Sequence, residues 1–187
     1  MPRRLLAPSL LVATPQLQDP NFRRAVVLMV EHDPQGSFGF VVNRESDRLA
    51  AQVCEELGVE WPGDRNARAA WGGPVVQQSG WVLFGGSRPT GCAEASEVTD
   101  GLYVTSSLDV LRQLGTAEPP PSGIRFLLGY AGWGPGQLED ELALGAWIVA
   151  PVNREAVFGM APETIWGNIW LDLGINPATL VSSPGVH

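Results

Sequence analysis

His32 is the only histidine inside the chain, His187 being the last residue, and lysine is absent altogether. Those two facts remove much chemistry. A phosphate-loop lysine, a Schiff-base lysine and a lysine general base are excluded. Any serine–histidine or cysteine–histidine mechanism has to use His32. The stretch VEHDPQG sets Glu31, His32 and Asp33 side by side, a set that can ligate a metal or move protons. Successive strand residues point to opposite faces, however, so three in a row rarely converge on one ion. The expected arrangement is a polar hairpin end with an Asx turn at Asp33.

A second constellation lies in GYAGWGPGQLEDEL, residues 129–142. An apolar run, a glycine-rich loop and a helix follow one another, the order in which many proteins hold a phosphate. Gly132, Gly134 and Gly136 do not have the G-x-G-x-x-G spacing, and Glu139, Asp140 and Glu141 would repel an anion at the helix start. The glycines are therefore expected to form a structural turn, at least one with positive φ, and any ligand there is expected not to be a phosphate. Gln137 and Glu141, four apart, share a helical face. With Tyr130 and Trp133 they can line a small polar cleft in which carboxylates bind a cation or work as acid and base. The preferred expectation makes Glu139 and Glu141 solvated helix caps whose joint conversion to glutamine costs little. Gly72 and Gly73, in WGGPV, can bring backbone amides to a ligand, and Asn43 is a candidate polar contact or turn former. No nucleophile, base and orienting group assemble with any specificity. No catalytic residue, metal ligand or cofactor is therefore assigned, and neither Cys54 nor Cys92 is expected in a zinc site.

The elements that must carry these residues follow from periodicity and turn chemistry. Ser9 to Ala13 reads as a buried strand. RAVVLMVEH and SFGFVVNR read as a hairpin closed by DPQG. Ala50 to Leu57 reads as a helix ended by Gly58, with Cys54 in its core face, and EWPGDRNARAAW as loop. A strand is expected at Trp81 to Phe84 and a hairpin around Thr99-Asp100-Gly101. A helix to Leu114 is expected to open on a Ser106/Asp109 capping box. Phe126 to Tyr130 and AWIVAP read as strands. Pro162 opens a last helix that presents Ile165, Trp166, Ile169, Trp170 and Leu173 on one face before Gly174. Irregular alternation with many hairpins predicts an α+β class with a mixed sheet.

The chain has 187 residues, 44% of them hydrophobic and 17% charged, as in an ordinary globular protein long enough for one buried core. Its first fifteen residues, MPRRLLAPSLLVATP, have the charge and apolar run of a signal peptide. Pro8 breaks that run, so the strand reading is preferred and a cytoplasmic location is expected. No run approaches a membrane span. Net charge is −8, from 12 basic and 20 acidic residues, with the deficit concentrated after residue 68. Non-specific nucleic-acid binding is disfavoured on that ground. Trp61, Trp71, Trp81, Trp133, Trp147, Trp166 and Trp170 are expected in the core, with one or two allowed at a subunit interface.

LLVATPQLQDPNFRRAVVLMVEHDPQGSFGFVVNR, WGGPV, SSLDVL and LGYAGWGPGQLEDEL, in this order and at these separations, resemble the AlgH/YqgE family of small bacterial proteins. The resemblance runs from about Leu5 to Leu173. It implies one α/β domain over residues 1–187, with a largely antiparallel mixed sheet curled into a partial barrel and flanked by helices. It implies a cytosolic bacterial protein and no established reaction, although some members are labelled transcriptional regulators. The function expected is that of a non-enzymatic binding or regulatory protein with a protein or small-molecule partner, a homo-oligomer being allowed. The alternative is an enzyme or ligand-binding protein with a cleft near the Gly132–Gly136 loop and the Gly72-Gly73-Pro74 turn.

Overall fold

The computed structural model describes residues 6–180, so His187 lies outside the described residues. The protein is α+β, with an open, mainly antiparallel sheet arrangement. The chain forms two compact units, one made of its two ends, up to Arg44 and from Ala131 on, and one made of Glu45–Tyr130.

In the unit made of the two ends, β1 (Ser9–Ala13) lies between β10 (Trp147–Ala150) and β2 (Val26–Asp33). β3 (Gly36–Val41) follows, and then the last three residues of β9 (Gly123–Trp133). Every pairing in this unit is antiparallel. All five residues of β1 are buried. That is why its sequence, SLLVA, does not alternate: four apolar residues follow Ser9, whose buried hydroxyl donates to the Leu6 carbonyl. The β2–β3 hairpin turns through Pro34 and Gln35, and the Asp33 carboxylate accepts the Gln35 amide at 2.7 Å. The expected Asx turn is thus present.

β9 continues through Gly132 and Trp133, so Gly132 is a strand residue opposite Phe38 and not part of the turn. The reversal falls to Gly134, Pro135 and Gly136. Gly136 stands at φ 74 directly before α3 (Gln137–Ala143). α4 (Pro162–Asp172) opens on Pro162, and Gly174 follows it at φ 76. Ile165, Ile169 and Trp170 of its expected face are buried, whereas Leu173 is 39% exposed. A wide helical turn at Glu155–Gly159 and a short α5 (Pro177–Leu180) have no sequence signal strong enough to predict them.

In the central unit the strand order is β7 (Ser96–Thr99), β8 (Leu102–Thr105), β6 (Val75–Gly85), β9, β5 (Arg68–Trp71), β4 (Glu45–Leu49). Only β5 with β9 is parallel. α1 (Ala50–Glu56) and α2 (Leu108–Leu114) supply Val53, Cys54, Val110, Leu111 and Leu114 to a core that also holds Trp61, Phe84 and Phe126.

Two expectations are corrected here. Arg68–Trp71, read as loop, is a strand, because pairing with β9 overrides the weak strand preference of RAAW. The cap of α2 is one residue later than expected. Ser107 accepts the Val110 amide at 3.4 Å, and Asp109 pairs with Arg112 instead of reaching back.

Cys54 has no exposed surface, and burial pushes its thiol up to about 11. Desolvation disfavours the thiolate in the folded state, so this thiol favours folding at neutral pH. The contribution is lost as pH rises toward about 11. Ellman titration at pH 8 is expected to leave Cys54 unreacted in native protein and to count it after denaturation. Stoichiometric reaction in the native protein would contradict this.

Candidate functional site

The polar cluster around α3 is built by the hairpin register. A two-residue turn sets His32 opposite Ser37, and β3 sets Ser37 opposite Trp133. Directly opposite residues share a sheet face, so the three form a row. His32 Nδ1 and Ser37 Oγ are 2.7 Å apart. His32 Nε2 lies 3.4 Å from the Glu139 carboxylate on α3.

Glu141 makes the tightest set. One carboxylate oxygen accepts the Trp133 indole N–H at 3.0 Å and the Trp147 indole N–H at 2.8 Å. The other accepts the Gln137 side-chain amide at 3.0 Å. Gln137 in turn accepts the Gly134 amide at 3.1 Å. Both indoles are almost fully buried, so the carboxylate meets two donors that water cannot serve. The i, i+4 pair expected from the sequence is present. Glu141 is not a solvated cap, and that expectation is corrected: it is half-buried and bonded through both oxygens.

Phe22 closes the aromatic side. Its ring stacks on Trp133 at 5.8 Å between centroids and meets Trp147 edge-on at 5.6 Å. The loop that carries Phe22 is held by two neighbours. Asn43 accepts the Val26 amide and donates to the Arg24 carbonyl, both at 2.8 Å. The Arg44 guanidinium donates to the carbonyls of Pro20, Asn21 and Arg23. Burial pulls the Arg44 pKa down, and Asp19 opposes the shift.

Of the candidate residues, Trp133, Gln137, Glu139 and Glu141 therefore come together, and Asn43 braces the adjoining loop. Gly72, Gly73 and Tyr130 belong to the central unit. The Gly72 amide donates to the Leu128 carbonyl at 2.7 Å, and the Gly73 carbonyl lies against Gly129. Tyr130 packs edge-on to Trp81. His32, Ser37, Phe22 and Trp147 were not among the candidates. Counting outward from the turn, 33 to 36 and 32 to 37, is a signal that finds the His32–Ser37 pair. No local pattern announces Phe22 or Trp147.

Chemically, the cluster resembles a serine–histidine–carboxylate series with its exposure inverted. Ser37 is 8% exposed, whereas the Glu139 side chain is 44% exposed. A nucleophile has to meet substrate and its orienting acid gains from burial, so this order suits docking of α3 onto the sheet better than acyl transfer. The Gly134 amide is occupied by Gln137, and Glu139 and Asp140 fill the first turn of α3. Among the described residues, no group of three or more His, Cys, Asp and Glu side chains is placed to hold a metal. No described helix is long and apolar enough to cross a membrane.

A family model described as AlgH-like matches residues 10–178, through both units. A UPF0301 protein of Myxococcus xanthus is 42% identical over 97% of this chain and 98% of its own length. A UPF0301 protein of Photobacterium profundum is 38% identical, over 94% and 95%. Among solved structures, the AlgH protein of Pseudomonas aeruginosa superposes with a TM-score of 0.75 at 34% identity, covering 97% of this chain and 96% of that one. A crystal structure of a Corynebacterium diphtheriae protein gives a TM-score of 0.76 at 27% identity, covering 89% and 86%.

Proposed function

The chain belongs to the AlgH-like family, and from that premise we propose that it is a non-enzymatic binding or regulatory protein of the cytoplasm. One observation carries the reading. The polar groups best placed for chemistry face internal partners: His32 Nδ1 is bonded to Ser37 Oγ and its Nε2 faces Glu139 at 3.4 Å, while both carboxylate oxygens of Glu141 accept hydrogen bonds. A general acid or base needs a polar atom free to meet substrate. Two buried free thiols, Cys54 and Cys92, support a reducing compartment.

The test pairs His32→Gln and Glu139→Gln with a panel of ester, phosphoester and amide substrates and a thermal-shift screen of nucleotides, metals and anionic metabolites. The variants are expected to change melting temperature and nothing else. Turnover abolished by either substitution at unchanged melting temperature would make the protein an enzyme. An effect on transcription is read as indirect. With a net charge of −8, random duplex DNA is expected to bind no tighter than micromolar at physiological salt. Fluorescence anisotropy checks this, and submicromolar binding would overturn it.

A further inference from the structure

β10 is an outer strand. It pairs with β1 alone, so one of its edges faces away from the sheet. Bonding parity says which groups lie on that edge. The Thr14 amide donates to the Ala146 carbonyl at 2.9 Å, and the Ala13 amide donates the other way, to Ala25, at 2.9 Å. Even-numbered residues of β1 therefore bond toward β10 and odd-numbered ones toward β2. Val12 stands opposite Ile148 and Leu10 opposite Ala150, so Ile148 and Ala150 bond inward. The amides and carbonyls of Trp147 and Val149 point outward, and they have no hydrogen-bond partner among the described residues. Water can serve such groups, so an open edge alone says nothing. The side chains set this edge apart. The other two outer strands are guarded by charge: Glu97 on β7, and Glu45, Asp47 and Arg48 on β4. β10 is WIVA, and no charged residue occurs from Leu142 to Asn153. Ile148 and Val149 are β-branched and only half-buried. Leu144, just before the strand, is 83% exposed, more than any other large apolar side chain among the described residues. Copies of a chain with net charge −8 repel one another, and a charge-free edge is where they approach at least cost.

We propose that β10 pairs with β10 of a second copy of this chain, antiparallel about a two-fold axis at Ile148. The register is self-complementary. Trp147 stands opposite Val149 of the second copy and exchanges both backbone bonds with it, and the symmetric pair does the same. Every outward amide and carbonyl of both strands is then used. Ile148 meets its own copy across the axis in a non-hydrogen-bonded pair, where side chains are closest. Pro151 has no amide to donate and ends the ladder at this length. A longer foreign strand would leave groups unpaired beyond that point, whereas a second copy stops at the same place. The same register carries Leu144 toward Val152 of the second copy, which gives the exposed leucine an apolar neighbour. The contact is short, so the dimer belongs with weak associations and not with obligate ones.

Sedimentation velocity of the full chain across a concentration series is the test. A reversible monomer–dimer equilibrium is expected, with a dissociation constant between about 10 μM and 1 mM. Added salt should tighten it by screening the repulsion between acidic copies. Val149→Pro removes an outward amide and no internal bond, so the monomer should keep its fold while the dimer weakens at least about tenfold. Ile148→Cys supplies a second readout that does not depend on that variant. Opposed residues of a non-hydrogen-bonded pair are within disulfide reach, so oxidised glutathione should link Ile148→Cys chains at least about tenfold faster than Leu171→Cys chains. Leu171 is 62% exposed on α4, and the native Cys54 and Cys92 are buried. A chain that stays monomeric up to about 1 mM overturns the proposal. So does a dimer that loosens with salt, or one that keeps its affinity in Val149→Pro, and so do equal linking rates for the two cysteine variants.

Discussion

Gly129→Ala is expected to yield little folded protein, with a stability loss of about 4 kcal/mol or more. Gly129 has φ +74, which alone costs an alanine about 1 kcal/mol. The larger cost is steric. A Cβ there would stand 2.5 Å from the Gly73 carbonyl oxygen and 3.1 Å from that of Val75. Both are backbone atoms, one in the β5–β6 connection and one at the start of β6, and neither can rotate aside as a side chain can. Gly136→Ala is the control. It has the same φ of +74 and nothing within 4 Å of its Cβ, so it should lose only about 1 kcal/mol. Urea unfolding of the two variants separates steric closure from backbone strain. Equal losses would mean that the Gly73 carbonyl gives way and the packing argument fails.

The second large effect is at Glu141. Glu141→Ala should cost about 3 kcal/mol, because it strips a charged acceptor from two buried indoles at once. For a chain of this size that is a drop of roughly 6–12 °C in melting temperature. Glu141→Gln keeps an oxygen that can still serve both indoles and should cost about 1 kcal/mol. Glu139→Ala, at a half-exposed pair, should stay below about 1 kcal/mol. Trp147→Phe and Trp170→Phe extend the comparison. Trp147 loses its bond to Glu141, whereas the buried Trp170 indole N–H has no hydrogen-bond partner among the described residues. Trp147→Phe should therefore be the more damaging. If Glu141→Ala costs no more than Glu139→Ala, Glu141 does not hold α3 in place.

What the sequence showed, and what it hid, divides by the range of the interaction involved. β1, the β2–β3 hairpin and the end of α1 at Gly58 were legible because apolar runs and turn residues are local. β4 and β5 were not. ESDRL and RAAW have neither alternation nor β-branched content, and they become strands only by pairing with each other and with β9. The same limit applied to the site. Gln137 and Glu141 were paired correctly because four residues is one helical turn. The contacts of Glu139 with His32, and of Glu141 with Trp147, join segments that no periodicity relates. The charge of Glu141 looked like dipole compensation because its acceptors' true donors, two indoles, lie on separate strands.

The pairing of β1 with β10, Leu10 against Ala150, has a consequence for how the protein is made. Translation delivers residues 45–130 as one uninterrupted stretch, so the central unit holds all its own strands as soon as that stretch has left the ribosome. The outer unit cannot complete its sheet until β10 emerges, some hundred residues after β2 and β3. Until then the fully apolar face of β1 has no partner on one side, and the nascent hairpin must be shielded or wait. Slowing translation after residue 130 should therefore expose this hairpin to chaperones and proteases for longer, while the central unit is already protected.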